Sequence, residues 1–443
     1  MPRLLRPFLL LVPLVLMGAG DDPITVVLLR LAVVLAAAKL GGELAERVGQ
    51  PAVLGELLAG VALGNADLLG LTGLEAIASD TAVDVLARLG VLVLLFEVGI
   101  EHTVRQMLRV GWTALRVAVV GVVVPFGLGW AAGAVLLPGA SLYVHAFLGA
   151  TLCATSVGIT ARVLQDLGAA KSAAARVILG AAVIDDVLGL IVLAVVTGVI
   201  AAVAAGTSMG TAAVLTIVGK ATVFLVGSLS IGLWVAPRLF RAASLLRTRG
   251  AQLATGLVFC FLLAWLAGAV GLAPIVGAFA AGLILEELHF RDFTERGEHG
   301  LEELVKPIAG FLSPVFFVLM GMRTDLAAFA DSGVLGLAAA LTIVAILGKL
   351  ACSLVVPGST DRLTVGIGMV PRGEVGLIFA NIGLSLTVAG QPVIAPATYS
   401  ALVAMVIVTT MITPPALKWS LARRRPAPAP EAPPSRPPPP PGP

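Results

Sequence analysis

The feature that most constrains this chain is a succession of long apolar segments, separated by short stretches of Gly, Pro and charged residues. A helix of about 20 apolar residues spans the hydrocarbon core of a bilayer. Apolar residues make up 58% of the 443 residues and charged residues only 12%, well below the ~25% typical of soluble domains. The chain is therefore predicted to be an all-α polytopic membrane protein, with the lipid bilayer as its surroundings.

Thirteen apolar segments are predicted to cross the membrane. Several of them are shorter than the ~20 residues that a straight crossing needs, and short spans within a bundle are typical of transporters. The thirteen segments cover residues 23–40, 51–64, 82–100, 110–137, 145–166, 173–204, 211–237, 251–270, 273–286, 304–322, 332–356, 364–389 and 397–419.

The two ends of the chain have compositions of their own. Residues 1–20 carry Arg3 and Arg6 before an apolar run and finish in Gly-Ala-Gly, which is typical of a secretory signal peptide. A retained extra N-terminal helix is the alternative. Residues 423–443 are proline-rich and cannot bury a core, so they are predicted to form a disordered cytoplasmic tail.

The distribution of basic residues predicts the orientation. If the loop after Leu40 is cytoplasmic, nineteen Lys and Arg residues lie at or near the inner ends of spans, against one, Arg323, in an outer loop. Cytoplasmic loops of membrane proteins carry such an excess. The mature N-terminus is therefore predicted outside and the C-terminus in the cytoplasm. No basic patch with interleaved aromatic residues appears, so no nucleic-acid partner is expected.

A repeated glycine spacing predicts an internal duplication. It places two six-helix repeats, spans 1–6 and 8–13, on either side of a linker helix at 211–237. Because seven crossings separate equivalent helices, the two repeats are inverted relative to each other, which is a transporter architecture. Three glycine pairs are each 222 positions apart: Gly55 and Gly277, Gly60 and Gly282, and Gly99 and Gly321.

Asp185 and Asp186 are adjacent carboxylates in the middle of the apolar segment 173–204. An ionised side chain at that depth costs ~2.5–3.5 kcal/mol, so it needs a cavity, a partner or an ion. Consecutive helical residues point about 100° apart, so one carboxylate can face an aqueous pathway while the other faces a neighbouring helix. The alternative is a helix boundary here, with both residues in a loop.

Lys349 is the single charge within segment 332–356 and is the predicted ion-pair partner of the two aspartates. The alternative is a side chain that snorkels to the cytoplasmic surface. Arg30, Glu56, Asp84, Arg88 and Glu97, within the first three spans, are interpreted as contacts between helices or protomers. Cys153, Cys260 and Cys352 lie in apolar runs and are interpreted as small buried residues.

Helix-breaking residues interrupt the fifth and twelfth spans. Thr155 and Ser156 lie in the first break, while Pro371 precedes Arg372 and Glu374 in the second. Adding 222 to position 155 gives 377, beside the second break. Broken helices expose peptide groups and dipole ends that bind or balance ions. Arg372 and Glu374 are predicted either to pair with each other or to neutralise these half-helix ends; a purely structural brace is the alternative.

Four motifs together resemble the bacterial monovalent cation:proton antiporters. The most similar group is the second family of these antiporters, which includes sodium/proton exchangers and Kef-type potassium/proton systems. The resemblance extends from residue 21 to about 422. The motifs are the run 40–60, the segment 95–101, the Asp185-Asp186 pair and the sequence Pro371-Arg-Gly-Glu374.

The resemblance implies a thirteen-helix sodium/proton antiporter fold in the bacterial inner membrane. It implies a homodimer whose dimerisation helices lie at about 23–100 and 251–322. It also implies a mobile core, at about 110–204 and 332–419, with two crossed discontinuous helices and elevator-like alternating access. Val157 stands where relatives often have proline, which predicts a milder first break.

Site roles also follow from the resemblance. Asp186 corresponds to the carboxylate that binds the transported cation and the proton, Asp185 to its partner, and Lys349 to the base that pairs with Asp185. Thr155 and Ser156 correspond to the unwound stretch. An Asp-Asp pair in place of the Gln-Asp pair of Kef-type systems favours the sodium class.

The expected function is secondary antiport of a monovalent cation, Na⁺ first, for H⁺, with no enzymatic activity and no cofactor. A Kef-type K⁺/H⁺ antiporter is the nearest alternative, followed by a sodium-coupled symporter or a channel on the same scaffold. An intramembrane aspartyl protease is disfavoured, because it needs its two carboxylates on separate helices.

Overall fold

The computed structural model describes residues 23–70, 73–101, 111–167, 169–204, 211–245, 248, 250–285, 299–388 and 390–423. The predicted leader, 1–20, lies outside these residues, and so does the predicted tail after residue 423.

Within the described residues the chain forms sixteen α-helices and one short hairpin. The helices are α1 Pro23–Arg47, α2 Ala52–Gly64, α3 Glu75–Ala78, α4 Thr81–Glu101, α5 Trp112–Leu136, α6 Leu142–Thr151, α7 Val157–Asp166, α8 Ala173–Ala204, α9 Thr211–Ser244, α10 Ala251–Ala269, α11 Pro274–Ile284, α12 Leu301–Met322, α13 Ser332–Leu350, α14 Arg362–Gly368, α15 Glu374–Ser385 and α16 Pro396–Ala422. Three short 3₁₀ turns (Ala66–Leu69, Ala327–Ala330 and Ala351–Val355) and the antiparallel strands β1 Thr387–Val388 and β2 Gln391–Pro392 complete the described structure.

All thirteen predicted spans are helical. Within the described parts of the chain, eight helices are long and apolar enough to cross a membrane: α1, α5, α8, α9, α10, α12, α13 and α16. Helices α2, α6, α11 and α15 are shorter and apolar. Two of the thirteen spans are discontinuous, the fifth as α6 and α7 and the twelfth as α14 and α15, as predicted.

Helix α1 is longer than the predicted first span, which ended at residue 40. Gly41 and Gly42 do not end the helix; it continues to Arg47. A Cβ atom placed at Gly41 would collide with the carbonyl oxygen of Gly55 on α2. The glycine is therefore needed for the close approach of two helices, which the local pattern could not distinguish from a helix end.

The predicted inverted repeat is visible in the helix packing. A Cβ atom at Gly60 would collide with the carbonyl oxygen of Val318. One at Gly282 would collide with the carbonyl oxygen of Phe96. Gly282 lies 222 positions after Gly60, and Phe96 lies 222 positions before Val318. The same close approach is thus built twice, once in each repeat.

A second pair of contacts obeys the same rule. Gly321 lies against the backbone of Leu57, and Gly99 lies against the backbone of Phe279. Helices α2, α4, α11 and α12 therefore form a pseudo-symmetric group. Its helices approach closely because glycine, lacking a side chain, allows backbone-to-backbone contact, as is common between membrane helices.

The 222-residue spacing does not hold at the broken helices. The first break covers Leu152–Ser156 and the second covers Met369–Gly373, which is 217 positions later. Position 377, which a spacing of 222 pairs with Thr155, lies inside α15, four residues beyond the second break. The second repeat is five residues shorter between its third helix and its broken helix.

The helices pack as two groups. Helices α1, α2, α4, α10, α11 and α12 pack on one another, and α5–α8 pack with α13–α16. Helix α9 lies against α8, α10 and α11. The two groups meet where α8 contacts α11 and where α12 contacts α15. We call the first group, which contains α1, α2, α4 and α10–α12, the scaffold group. We call the second group, which contains α5–α8 and α13–α16, the crossing group.

Candidate ion-binding site at the helix crossing

The two breaks cross and hold each other through the backbone. The amide of Ser156 donates to the carbonyl oxygen of Pro371 at 2.9 Å, and the Thr160 hydroxyl donates to the carbonyl oxygen of Gly368 at 2.7 Å. A Cβ atom at Gly373 would lie 2.5 Å from Oγ of Ser156. Glycine at this position therefore allows the two non-helical breaks to contact each other.

The breaks are equal in length although their sequences differ. Pro371 explains the second, since proline has no N–H and restricts the residue before it. The first break has no proline, yet five residues separate α6 from α7, as many as separate α14 from α15. The expected milder break is wrong. Hydrogen bonds from the crossing partner replace those that a continuous helix would supply.

Lys349 and Asp185 form a fully buried ion pair at the crossing. Nζ of Lys349 donates to Oδ1 of Asp185 at 2.9 Å, and both side chains are 0% exposed. The lysine does not snorkel to a surface. Burying two charges costs several kcal/mol per ion even when they are paired. Such a pair is therefore a poor way to stabilise a fold, and its presence points to a function.

Asp186 follows Asp185 within the continuous helix α8, so neither residue lies in a loop. Asp185 is buried and Asp186 is half-buried, as expected for neighbours that point about 100° apart. No three acidic, His or Cys side chains in the described residues lie close enough together to hold a metal ion.

Unsatisfied polar atoms are concentrated at the crossing. Buried polar side-chain atoms are nearly always hydrogen-bonded. Four buried side-chain atoms in the described chain lack a hydrogen-bond partner, and three belong to this site. They are Oδ2 of Asp185, Oγ1 of Thr155 and Nε of Arg372.

Arg372 is fully buried and joins three elements. Its guanidinium donates to the carbonyl oxygen of Ala154, beyond the C-terminal end of α6, and to that of Ala345 on α13 at 3.3 Å. Its own carbonyl oxygen accepts from the Thr410 hydroxyl of α16 at 2.7 Å. A positive charge thus lies near the negative end of the half-helix α6.

Glu374 lies in the first turn of α15, where a negative charge suits the positive end of the helix dipole. It accepts a hydrogen bond from Oγ of Ser156 at 2.8 Å. Arg372 and Glu374 therefore reach different partners, each near a half-helix end. This geometry is compatible with neutralisation of the half-helix ends and with a structural brace, which are alternatives that the sequence left open.

A cavity of about 240 Å³ lies between the two helix groups and reaches the crossing. Ser156, Gly373, Glu374 and Thr410 line it from the crossing group. Its scaffold side is mostly apolar and includes Pro51, Leu54, Leu57, Leu94, Ser313 and Phe317.

Sequence reasoning missed a polar bridge between the groups. Nη2 of Arg323, just after α12, lies 2.6 Å from Oδ1 of Asp84, and its Nη1 donates to Oδ1 of Asn381 on α15 at 2.8 Å. The sequence offered one signal for this bridge: Arg323 is the one basic residue predicted to lie in an outer loop. Nothing in the local sequence marked Asn381.

The other charges of the first three spans have varied surroundings. Arg30 on α1 pairs with Asp80, which directly precedes α4, and Arg88 pairs with Asp84 within α4 at 2.7 Å. Glu56 is buried and Glu97 is half-buried. All three cysteines are free and buried, as predicted.

The inverted repeat, the two crossed broken helices and the charged groups at the crossing define an ion-coupled secondary transporter. Residues 28–423 match the family described as "Sodium/hydrogen exchanger, transmembrane", and the chain belongs to this family. It is a multi-pass membrane protein that exchanges a cation for protons, and it is not an enzyme.

Named relatives agree with this membership, and a solved structure shares the fold. The chain is 38% identical to the high-affinity Na(+)/H(+) antiporter NhaS3 of Synechocystis, over 95% of this chain and 94% of that one. It is 34% identical to the Na(+)/H(+)-K(+) antiporter GerN of Bacillus cereus, over 89% and 96%. The structure of the sodium proton antiporter MjNhaP1 of Methanocaldococcus jannaschii matches with a TM-score of 0.64 at 17% identity, covering 88% of this chain and 95% of that one. The last likeness shows the fold.

Proposed function

We propose that this protein exchanges Na⁺ for H⁺ across the bacterial inner membrane, with Asp185 and Asp186 binding the ion and the proton in turn. Lys349 is the charge partner that holds Asp185 when no cation is bound. The observation that carries the proposal is the fully buried pair of Lys349 and Asp185 beside the two crossed breaks.

Competition at one site makes the exchange obligatory. A carboxylate that has taken a proton has lost the charge that attracts a cation. A carboxylate that holds a cation resists protonation, because a nearby positive charge favours its ionised form. A cation that approaches Asp185 also competes with the ammonium group of Lys349.

The unsatisfied oxygens support a cation site at this place. Hard cations prefer oxygen ligands. Oδ2 of Asp185 and Oγ1 of Thr155 are buried oxygens that lack a partner in the described chain. Together with the half-buried carboxylate of Asp186, they offer oxygens that a dehydrated Na⁺ needs.

Alternating access would come from movement of the crossing group against the scaffold group, with α9 as the linker. The cavity beside Ser156 and Glu374 lies between the groups and supports a path from one side. Its lining includes Pro51, which follows the predicted cytoplasmic residue Arg47. The described state therefore fits an inward-facing transporter. The scaffold group would form the homodimer.

Sodium is preferred over potassium as the transported cation. Support comes from the Asp185-Asp186 pair and from NhaS3, which is named as a Na(+)/H(+) antiporter. The second candidate is K⁺/H⁺ exchange, because the name of GerN includes K(+) as well as Na(+).

The proposal is tested in proteoliposomes that contain a pH-sensitive dye. Gradients of Na⁺, K⁺ and Li⁺ are imposed in turn, with and without a clamped voltage. We expect a Na⁺ gradient to move protons in the opposite direction. Proton movement with K⁺ alone would favour the second candidate, and Na⁺ flux without proton movement would indicate a channel.

The site assignment is tested by Asp186→Asn in the same assay. Removing the titrating group removes both proton and cation binding, so we expect exchange to fall by about 100-fold or more, to the background of empty liposomes. Glu75→Gln is the matched control, because Glu75 is an exposed acid in α3. Full exchange by Asp186→Asn would refute the assignment.

A further inference from the structure

Helix α5 presents Gly121, which has no side chain, to the buried ion pair. A Cβ atom at Gly121 would lie 3.3 Å from Oδ1 of Asp185, 3.3 Å from Nζ of Lys349 and 3.2 Å from Sγ of Cys352. Gly121 itself is buried. The space of its missing side chain is therefore bordered by both charged atoms of the pair.

The other glycines of α5 have different surroundings. A Cβ atom at Gly129 would lie 2.9 Å from the backbone of Gly149, and one at Gly133 would press on Leu148 and His145. These two glycines allow α5 and α6 to pack. Gly127 is exposed, and nothing lies within 4 Å of the position its Cβ would take.

We propose that Gly121 is a positioning residue for exchange, whose missing side chain leaves room for the Lys349 ammonium and the Asp185 carboxylate to rearrange when a cation arrives. The inference rests on the proposed function, since it assumes that Asp185 receives the cation. It assigns a role in transport to a residue that carries no polar group.

The distances indicate what a methyl group at this position would disturb. A Cβ contact at 3.2–3.3 Å is tighter than nine in ten real ones, so the neighbours must move by a few tenths of an ångström. Those neighbours are the ends of side chains, not backbone atoms. The Gly121→Ala change should therefore leave the helices in place and act on the ion pair.

The ammonium and an incoming cation must share the space beside Gly121. The surroundings are close-packed, and Cys352 closes the space on one side. A methyl group reduces that space, and overpacking of a dense site costs enough to change an affinity about tenfold. The effect should appear in the apparent KM for Na⁺, because it concerns binding.

The test compares wild type, Gly121→Ala and the control Gly127→Ala in proteoliposomes, with KM and kcat for Na⁺ measured at several pH values. We expect Gly121→Ala to raise KM about tenfold and displace the pH profile, while Gly127→Ala stays within about twofold. A merely structural role would lower the amount of folded protein and kcat without moving KM. Equal KM values for the two variants would overturn the inference.

Two double variants distinguish an effect of Gly121→Ala on the ion pair from an effect on packing alone. Lys349→Ala removes the ammonium, so Gly121→Ala should then have no further effect on Na⁺ binding, measured by the Na⁺-dependent rise in Tm of the purified protein. Cys352→Ala relieves only the contact with sulfur. Restoration of Na⁺ binding by Cys352→Ala, with the Gly121→Ala effect persisting on the Lys349→Ala background, would overturn the inference.

The Lys349→Ala and Cys352→Ala backgrounds also keep the inference testable if the Gly121→Ala protein fails to fold. Recovery of folded protein by Lys349→Ala supports the inference, and recovery by Cys352→Ala alone contradicts it. Failure of the proposed function is seen separately, as wild-type protein that does not couple Na⁺ to H⁺.

Discussion

At the scale of single residues, the main free-energy cost of the site is the burial of the charged Lys349–Asp185 pair. Both side chains are fully buried, and Oδ2 of Asp185 lacks a partner in the described chain. A salt bridge in such surroundings contributes little to stability, whereas removal of one partner leaves an uncompensated buried charge. The pair is thus held in place by the surrounding packing rather than holding the packing together.

Lys349→Ala is accordingly expected to destabilise the protein by about 3–5 kcal/mol, because Asp185 loses its counter-charge. The double variant Lys349→Ala with Asp185→Asn should recover most of that loss, because no lone charge remains. Thermal unfolding of the purified protein measures both. Arg47→Gln is the control: its ion pair with Glu43 is exposed, and such pairs contribute about 0–1 kcal/mol. A double variant no more stable than Lys349→Ala would contradict this account.

At the scale of helices, glycines set how closely α2, α4, α11 and α12 approach. Gly60 against Val318 and its counterpart Gly282 against Phe96 are contacts between backbones. Backbone atoms cannot yield as side-chain ends do. A methyl group at these positions must separate two helices, whereas at Gly121 it only displaces flexible groups.

Gly60→Ala and Gly282→Ala should therefore lower the Tm to similar extents, by a destabilisation of about 1–3 kcal/mol or more. The inverted repeat predicts the similarity. Gly310→Ala on α12 is the control, because nothing lies within 4 Å of its Cβ position. Fluorescence-detected size exclusion after heating measures all three variants. A Gly60→Ala protein as stable as Gly310→Ala would contradict the packing argument.

At the scale of the whole molecule, polar bonds join the two helix groups on the side predicted to face outward. Arg323 bridges Asp84 and Asn381, the Tyr399 hydroxyl donates to the carbonyl oxygen of Met320 at 2.9 Å, and Ser400 accepts from the backbone of residue 325 at 3.0 Å. These bonds must break if the crossing group moves against the scaffold group. They would then stabilise the state described here over an outward-facing one.

Asn381→Ala should shift the population toward the outward-facing state, because a hydrogen bond to a charged group contributes about 1.5–3 kcal/mol. The measurement is the rate at which a membrane-impermeant maleimide labels Ala87→Cys, since Ala87 is buried and lines a cavity of about 480 Å³ next to Asp84 and Asn381. We expect labelling to be about tenfold faster. Ser385→Ala, which lines the same cavity, is the control, and an unchanged rate in Asn381→Ala would show that Arg323 does not restrain the movement.

The sequence by itself determined the number of spans, the inverted repeat and the depth of Asp185 and Asp186. Apolar length, glycine spacing and charge inside an apolar run are properties of local sequence, and the bilayer allows helices few alternatives. It also marked Lys349, Arg372 and Glu374, since charges at membrane depth are rare.

Only the tertiary structure decided which groups meet. It paired Lys349 with Asp185, joined Ser156 to Glu374, set a spacing of 217 rather than 222 between the two breaks, and brought Arg323 to Asn381. It also placed Gly121, a residue without any polar group, against the ion pair. These contacts join helices far apart in the chain. They depend on how closely each helix can approach its neighbours, which no local stretch of sequence encodes.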